Sequence, residues 1–149
     1  MTISIEHADA PGVVELLQLS DDFHAALYTP DECFLLDLDE LRTPNVTIVV
    51  AREDGVALGM AALVEKPEYG EVKRMYLRDE ARGRGLADGI LGTIEDVARE
   101  HGVHLLQLET GPLQPAAIAF YERNGFSRIP EYGEYVGSES SVCFAKQLV

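Results

Sequence analysis

Apolar and polar positions along this chain repeat with two periods, and each change of period marks a change of element. ISIEH (residues 3–7) alternates every second residue and reads as a short strand. PGVVELLQLSDDFHAALY (11–28) sets apolar residues three and four apart, the spacing of an amphipathic helix, with Pro11 suited to the first turn. FLLDLDELR (34–42) reads as a second short helix or turn. VTIVVARED (46–54) and VALGMAALVE (56–65) are apolar runs joined at Asp54-Gly55, a dipeptide that favours tight hairpins. After a turn at Pro67 to Gly70, EVKRMYL (71–77) is a third strand of the meander. Simple alternation places its Glu71, Lys73, Met75 and Leu77 on one face and its Val72, Arg74 and Tyr76 on the other.

From Gly83 to about His101 the period returns to that of a helix, with Leu86, Ile90, Ile94 and Val97 on one side. Gly102 stops it, while Gly89 and Gly92 interrupt it at a cost of about 1 kcal/mol each relative to alanine. VHLLQLET (103–110) is a mostly apolar strand. A helix from about Pro115 to Asn124 ends at Gly125, which suits the position after a helix. Phe126 to Ile129 and SVCFAKQLV (141–149) complete the pattern as strands. An antiparallel meander followed by strand, helix, strand, helix, strand predicts one α/β domain over residues 1–149, a mixed sheet flanked by helices.

Composition narrows the function. The 149 residues carry a formal charge of −14, which argues against general nucleic-acid binding. No run is long and apolar enough for a bilayer, and MTISIEHADAPG lacks the basic start and apolar stretch of a secretory signal, so a cytoplasmic setting is expected. Two distant cysteines and four scattered histidines predict neither a disulfide framework nor a metal site. The charge is uneven, however. Between residues 73 and 84, Lys73, Arg74, Arg78, Arg82 and Arg84 face only Asp79 and Glu80. This basic island is either a solvated, mixed-charge loop or an anion site.

ARGRGLADG (81–89) gives the second reading a mechanism. Glycines between a strand and a helix let a ligand approach the backbone, and the unpaired N–H groups of a helix start favour an anion. A nucleotide triphosphate loop is not supported, because Gly-Lys-Ser/Thr is absent. A dinucleotide fingerprint fails at its third glycine, where Asp88 stands. Arg82-x-x-Gly85-x-Ala87, after EVKRMYL and before an amphipathic helix, resembles motif A of the GNAT superfamily, the acyl-CoA-dependent N-acetyltransferases. AIAFYERNGF (117–126) is similar to that family's second motif. The stretch ETGPLQPAAIAFYERNGF and the terminal SVCF resemble a subgroup of small bacterial-type members.

The resemblance implies a GNAT-like fold, a central mixed antiparallel and parallel sheet of about six to seven strands with about four helices. It implies acetyl transfer from acetyl-CoA to a primary amine of a small molecule or peptide, directly within a ternary complex and without a metal. A CoA-binding sensor or partner module without transferase activity is the alternative. By the same resemblance, the amides of Arg82, Gly83, Arg84, Gly85, Leu86 and Ala87 hold the CoA pyrophosphate. Pantetheine pairs with Met75, Tyr76 and Leu77 where the sheet splays, and Gln114 and Ala117 lie beside the cofactor. Glu71, eleven residues before Arg82, takes the place of a general base, directly or through water; otherwise it is a carboxylate paired with Lys73 or Arg82. Tyr121 takes the place of the proton donor to the departing thiolate.

His24, Tyr28 and Glu109 are placed on the acceptor side, whereas His101 and His104 read as structural. Residues 20–41 hold seven carboxylates and no Lys or Arg. They read first as solvated helix faces, and as selecting a cationic amine if they wall the acceptor pocket. EYGEY (131–135) either folds over that pocket or is a surface loop. Asp88 is expected to turn away from the phosphates. Relatives are often homodimers, and nothing in the sequence forces or forbids one.

Overall fold

In a computed structural model the described residues, 1–148, form a single seven-stranded sheet in the order β1-β2-β3-β4-β5-β7-β6. The strands are β1 (Thr2–Glu6), β2 (Val46–Glu53), β3 (Val56–Glu65), β4 (Gly70–Leu77), β5 (Leu105–Thr110), β6 (Ser127–Ile129) and β7 (Val142–Gln147). Neighbours pair antiparallel except β4 and β5, which are parallel. The helices are α1 (Val13–Leu27), α2 (Leu38–Leu41), α3 (Leu86–Glu100) and α4 (Pro115–Arg123). The expected last strand extends to Val149, which lies outside the described residues.

Two apolar layers hold the helices to the sheet. On one face, Val49, Ala61, Leu63, Val72, Leu106, Leu108 and Phe144 pack against Ile90, Leu91 and Ile94 of α3 and Tyr121 of α4. On the other, Ile48, Val50, Met60 and Ala62 pack against Val13, Leu16 and Leu17 of α1 and Leu41 of α2. Gly89 is needed for the first layer, since a Cβ there would come within 2.5 Å of Ile3 on β1. Nothing in the structure explains Gly92.

Three expectations from the sequence are revised. Pro11 precedes α1 rather than opening it, because Gly12 takes the left-handed conformation (φ 85°) at the cap. FLLDLDELR is helical only over Leu38–Leu41, and residues 33–37 run without regular structure past Arg74 of β4. Strict alternation also fails in β4. The register steps from Ala62↔Lys73 to Met60↔Tyr76, leaving Arg74 and Met75 together opposite Ala61, with Arg74 at φ 59°. This β-bulge inserts one residue and reverses the facing downstream. Glu71 and Lys73 therefore share the α1 side with Arg74 and Tyr76, while Val72, Met75 and Leu77 face α3.

Candidate functional site

β4 and β5 pair over only three residues, Gly70–Val72 against Leu106–Leu108. Beyond that point β4 stays with β3 and β5 with β7, so the strands part and the β5-facing edge of β4 from Lys73 to Leu77 has no strand beside it among the described residues. A cavity of about 520 Å³ occupies the gap and is lined from both faces of the sheet. Met75, Ala117, Phe120 and Tyr121 line it on the α3–α4 side, and Phe23, Tyr28, Phe34 and Tyr135 on the α1 side.

At one end lies the start of α3. Gly83 and Gly85 are both left-handed (φ 76°), and a Cβ at either would meet nothing within 4 Å. The backbone N–H groups from Gly83 to Asp88 find no backbone acceptor among the described residues. This is an open cradle of donors at a positive helix end, which suits a pyrophosphate. Arg82, Gly83 and Ala87 line the cavity. Gly85 and Leu86 do not, Leu86 being buried beneath the turn, and Arg84 is turned away onto Glu53. Of the two arginines only Arg82 is oriented toward the site, held by Asp79 at 3.3 Å with its guanidinium 5.8 Å from the centre of the Phe23 ring. Asp88 does turn from the cradle: its Oδ1 accepts from Asn124 Nδ2 at 3.1 Å and lies 3.5 Å from Arg123, tying α3 to the end of α4.

The Tyr121 hydroxyl lies inside the cavity wall and makes no hydrogen bond among the described residues. Burial pushes its phenol upward, so it carries its proton throughout the physiological range. Met75, Tyr76, Leu77, Gln114 and Ala117 all line the cavity.

On the acceptor side, Glu71 is 5% exposed and lies behind the lining. Its Oε2 accepts from the Tyr135 hydroxyl at 2.5 Å; Lys73 Nζ donates to the same hydroxyl at 2.8 Å and is 3.7 Å from Glu71. Tyr135 and Lys73 thus stand between Glu71 and the cavity, and the carboxyls that do line it are Glu109 and, bound to Thr29, Glu32. Burial raises Glu109 from 4.5 to about 7, opposed by the Ser141 hydroxyl, which donates to it at 2.7 Å, and by Lys73, and reinforced by Glu71. The sequence placed Glu109 near the acceptor but gave no sign that burial would poise it near neutrality.

EYGEY supplies part of this wall. Tyr69, Tyr132, Tyr135 and Phe34 form a chain of edge-on rings 5.0 to 5.6 Å apart, which carries Tyr135 to the cavity floor. His24 lines the cavity, and its Nδ1 lies 2.7 Å from the Ser20 carbonyl. Tyr28 closes the end of α1 against Gly111, where any Cβ would lie 1.8 Å from its hydroxyl oxygen. That hydroxyl donates to Gln114 Oε1 at 3.3 Å and accepts from the Leu113 N–H at 3.1 Å. The acidic residues of 20–41 are largely engaged in structure: Asp21 on Arg74, Glu32 on Thr29, Asp37 and Glu40 capping α2, and Asp39 on Arg42. Lys73 and Arg74, which the sequence marked only as part of a basic island, and the Cys33–Leu35 segment, which it did not mark, also line the cavity. Their place at the cavity follows from a bulge invisible to periodicity and from a segment that reads, from Phe34 on, as a short helix or turn.

Among the described residues no His, Cys, Asp or Glu cluster is arranged to hold a metal ion, and no helix is long and apolar enough to cross a membrane. A model of the acetyltransferase (GNAT) family matches residues 13–126. The chain is 37% identical to the IAA acetyltransferase of Azospirillum brasilense, over 99% of this chain and 98% of that one. A Klebsiella pneumoniae protein assigned as an acyl-CoA N-acyltransferase superposes with a TM-score of 0.84 at 30% identity, over 99% of this chain and 97% of the other. The PaiA N-acetyltransferase of Thermoplasma acidophilum, solved with coenzyme A, shares the fold with a TM-score of 0.74 at 17% identity, over 99% of each chain.

Proposed function

Because the chain belongs to the acetyltransferase (GNAT) family, we propose that it transfers an acetyl group from acetyl-CoA to a primary amine, directly, with both substrates bound together. The observation that carries this reading is the cavity through the β4–β5 gap, with unpaired amides at one end and Glu109 at the other. The amides of Gly83 to Asp88 hold the pyrophosphate, aided by Arg82. The unpaired edge of β4 receives pantetheine as an added strand. Acetyl-CoA supplies the activated acyl carbon and a thiolate leaving group.

The protein's own groups then move protons. Glu109, in place of the more deeply buried Glu71, takes a proton from the docked ammonium and frees the nitrogen lone pair. Amides beside the bulge at Arg74 and Met75 polarise the thioester carbonyl. As the C–N bond forms and the C–S bond breaks, Tyr121 gives its proton to sulfur, and the second amine proton restores the phenol. Ammonium and thioester thereby yield amide, thiol and one proton. Glu71 acts from behind, fixing Tyr135 and through it Lys73. Direct transfer is favoured over an acyl-enzyme because burial raises the thiol of Cys33, the cysteine that lines the cavity.

The test is a thiol-release assay with acetyl-CoA and a panel of amines, run beside thermal melts. Acetyl-CoA is expected to raise the melting temperature and at least one amine to release thiol. Stabilisation without release from any amine would favour a CoA-binding module instead, and no stabilisation would remove both readings.

A further inference from the structure

Resting on the transferase reading above, we infer that the acceptor is a primary monoamine with a flat, apolar body, an arylalkylamine in chemical class, bearing one ammonium and no carboxylate. Its basis is the make-up of the α1-side half of the cavity. Phe23, Tyr28, Phe34, Tyr76 and Tyr135 wall that half, with Leu35 beside them. They come from α1, the 33–37 segment, β4 and the turn before β7, so the aromatic lining is not the by-product of one amphipathic helix. Phe34 meets Tyr135 edge-on at 5.0 Å, and Phe23 lies tilted against Tyr76 at 6.4 Å. Rings held by their neighbours in this way offer preformed apolar contact to a planar ligand.

The charges in the same half limit what else can enter. Arg74 is engaged by the Leu36 carbonyl at 2.9 Å, Asp21 at 2.7 Å and the Ser20 hydroxyl at 3.3 Å, with its side chain 4% exposed. Lys73 is engaged by Tyr135 and Glu71. Arg82, whose guanidinium lies over Phe23, serves the pyrophosphate in the reading above, so among the described residues of this half no further cation is left to receive an acceptor's carboxylate. Among the carboxyls, Asp21 is held by Arg74, and Glu32 accepts from both the N–H and the hydroxyl of Thr29. Glu71 stands behind Tyr135. Glu32 lines the cavity with its Oε1 committed to Thr29, which leaves Glu109, with a single Ser141 contact, as the carboxyl among the described residues of this half with most capacity for an ammonium. A second ammonium, as in a polyamine, would exchange its hydration for ring faces alone, without a carboxylate of its own to pair with. The hydroxyls of an amino sugar would fare similarly.

The experiment compares kcat/KM for 2-phenylethylamine, butylamine, spermidine, glucosamine and phenylalanine with saturating acetyl-CoA. 2-Phenylethylamine is expected to exceed each of the others by at least about tenfold. Phe34→Ala is expected to bring it down to the level of butylamine while the melting shift given by acetyl-CoA is retained. If that variant does not fold, Leu35→Ser carries the same comparison. Equal or better use of spermidine, glucosamine or phenylalanine overturns the inference and leaves the transferase standing. Parity between butylamine and 2-phenylethylamine also overturns it, since the rings then recognise nothing. An acetyl-CoA melting shift with no thiol release from any amine removes the transferase reading and this inference together.

Discussion

Glu109→Gln removes one charge from the cavity and leaves its shape and its contact with Ser141 nearly intact. The wild-type carboxyl is raised from 4.5 to about 7, mainly by burial. Between those two values the folded chain keeps a proton that the unfolded chain has released. Stability contributed by this group is therefore fully present below 4.5 and declines as pH rises, until the folded carboxyl ionises near 7. Each pH unit in that window is worth about 1.4 kcal/mol, so the decline totals roughly 3 kcal/mol. The variant has no such titration. Urea unfolding of both proteins from about pH 4 to about pH 8 should show the variant gaining on the wild type by up to that amount. Activity should move oppositely, kcat falling by about a hundredfold because no group receives the ammonium proton. In the wild type, kcat should rise with pH through a limb at or somewhat below 7, since a docked ammonium favours the ionised carboxyl. A variant whose stability follows pH just as the wild type does, or whose turnover is unimpaired, refutes the placement of the proton acceptor at Glu109.

Other variants probe the remaining parts. Tyr121→Phe removes a hydroxyl with no hydrogen bond among the described residues, so stability should change by less than about 0.5 kcal/mol while kcat falls about a hundredfold; unchanged turnover would rule out its role as acid. Gly85→Val puts a branched side chain at φ 76° beside the free amides. It should cost about 1–2 kcal/mol in unfolding free energy and weaken acetyl-CoA by at least about tenfold in calorimetry, and undiminished affinity would show that the cradle lies elsewhere. Tyr28→Phe keeps the ring against Gly111 but strands the Leu113 N–H, at about 1–2 kcal/mol in urea unfolding; no loss would mean that water replaces the hydroxyl.

The sequence made most of the sheet legible because its signals are local. Val56–Glu65 is a continuous apolar run after a two-residue turn, and α3 is a long periodic stretch behind glycines. The cradle could be read for the same reason, since Gly83, Gly85 and the helix start are contiguous. The acceptor half could not, because it is assembled from distant segments by features without a local signature. One inserted residue at Arg74 turns Lys73 and Arg74 to the same side. Glu71 was singled out through the family resemblance, but only packing shows that Tyr135, sixty-four residues away, stands in front of it. The poise of Glu109 depends on burial, which is a property of the assembled fold. Asp88 became intelligible once Asn124 and Arg123 were seen beside it.

The seam between β4 and β5 also has a mechanical side. β2 and β3 are joined by eight residue pairs, β4 and β5 by three. Seven strands wide, the sheet has a seam with few backbone rungs where the reaction would take place, and the α3 layer that packs on strands from both sides holds it together there. A molecule lying along the free edge of β4 adds rungs to the ladder at the one place where rungs are few. Under the proposed transfer, acetyl-CoA bound there would brace the seam, and departure of the thiol would take those rungs away.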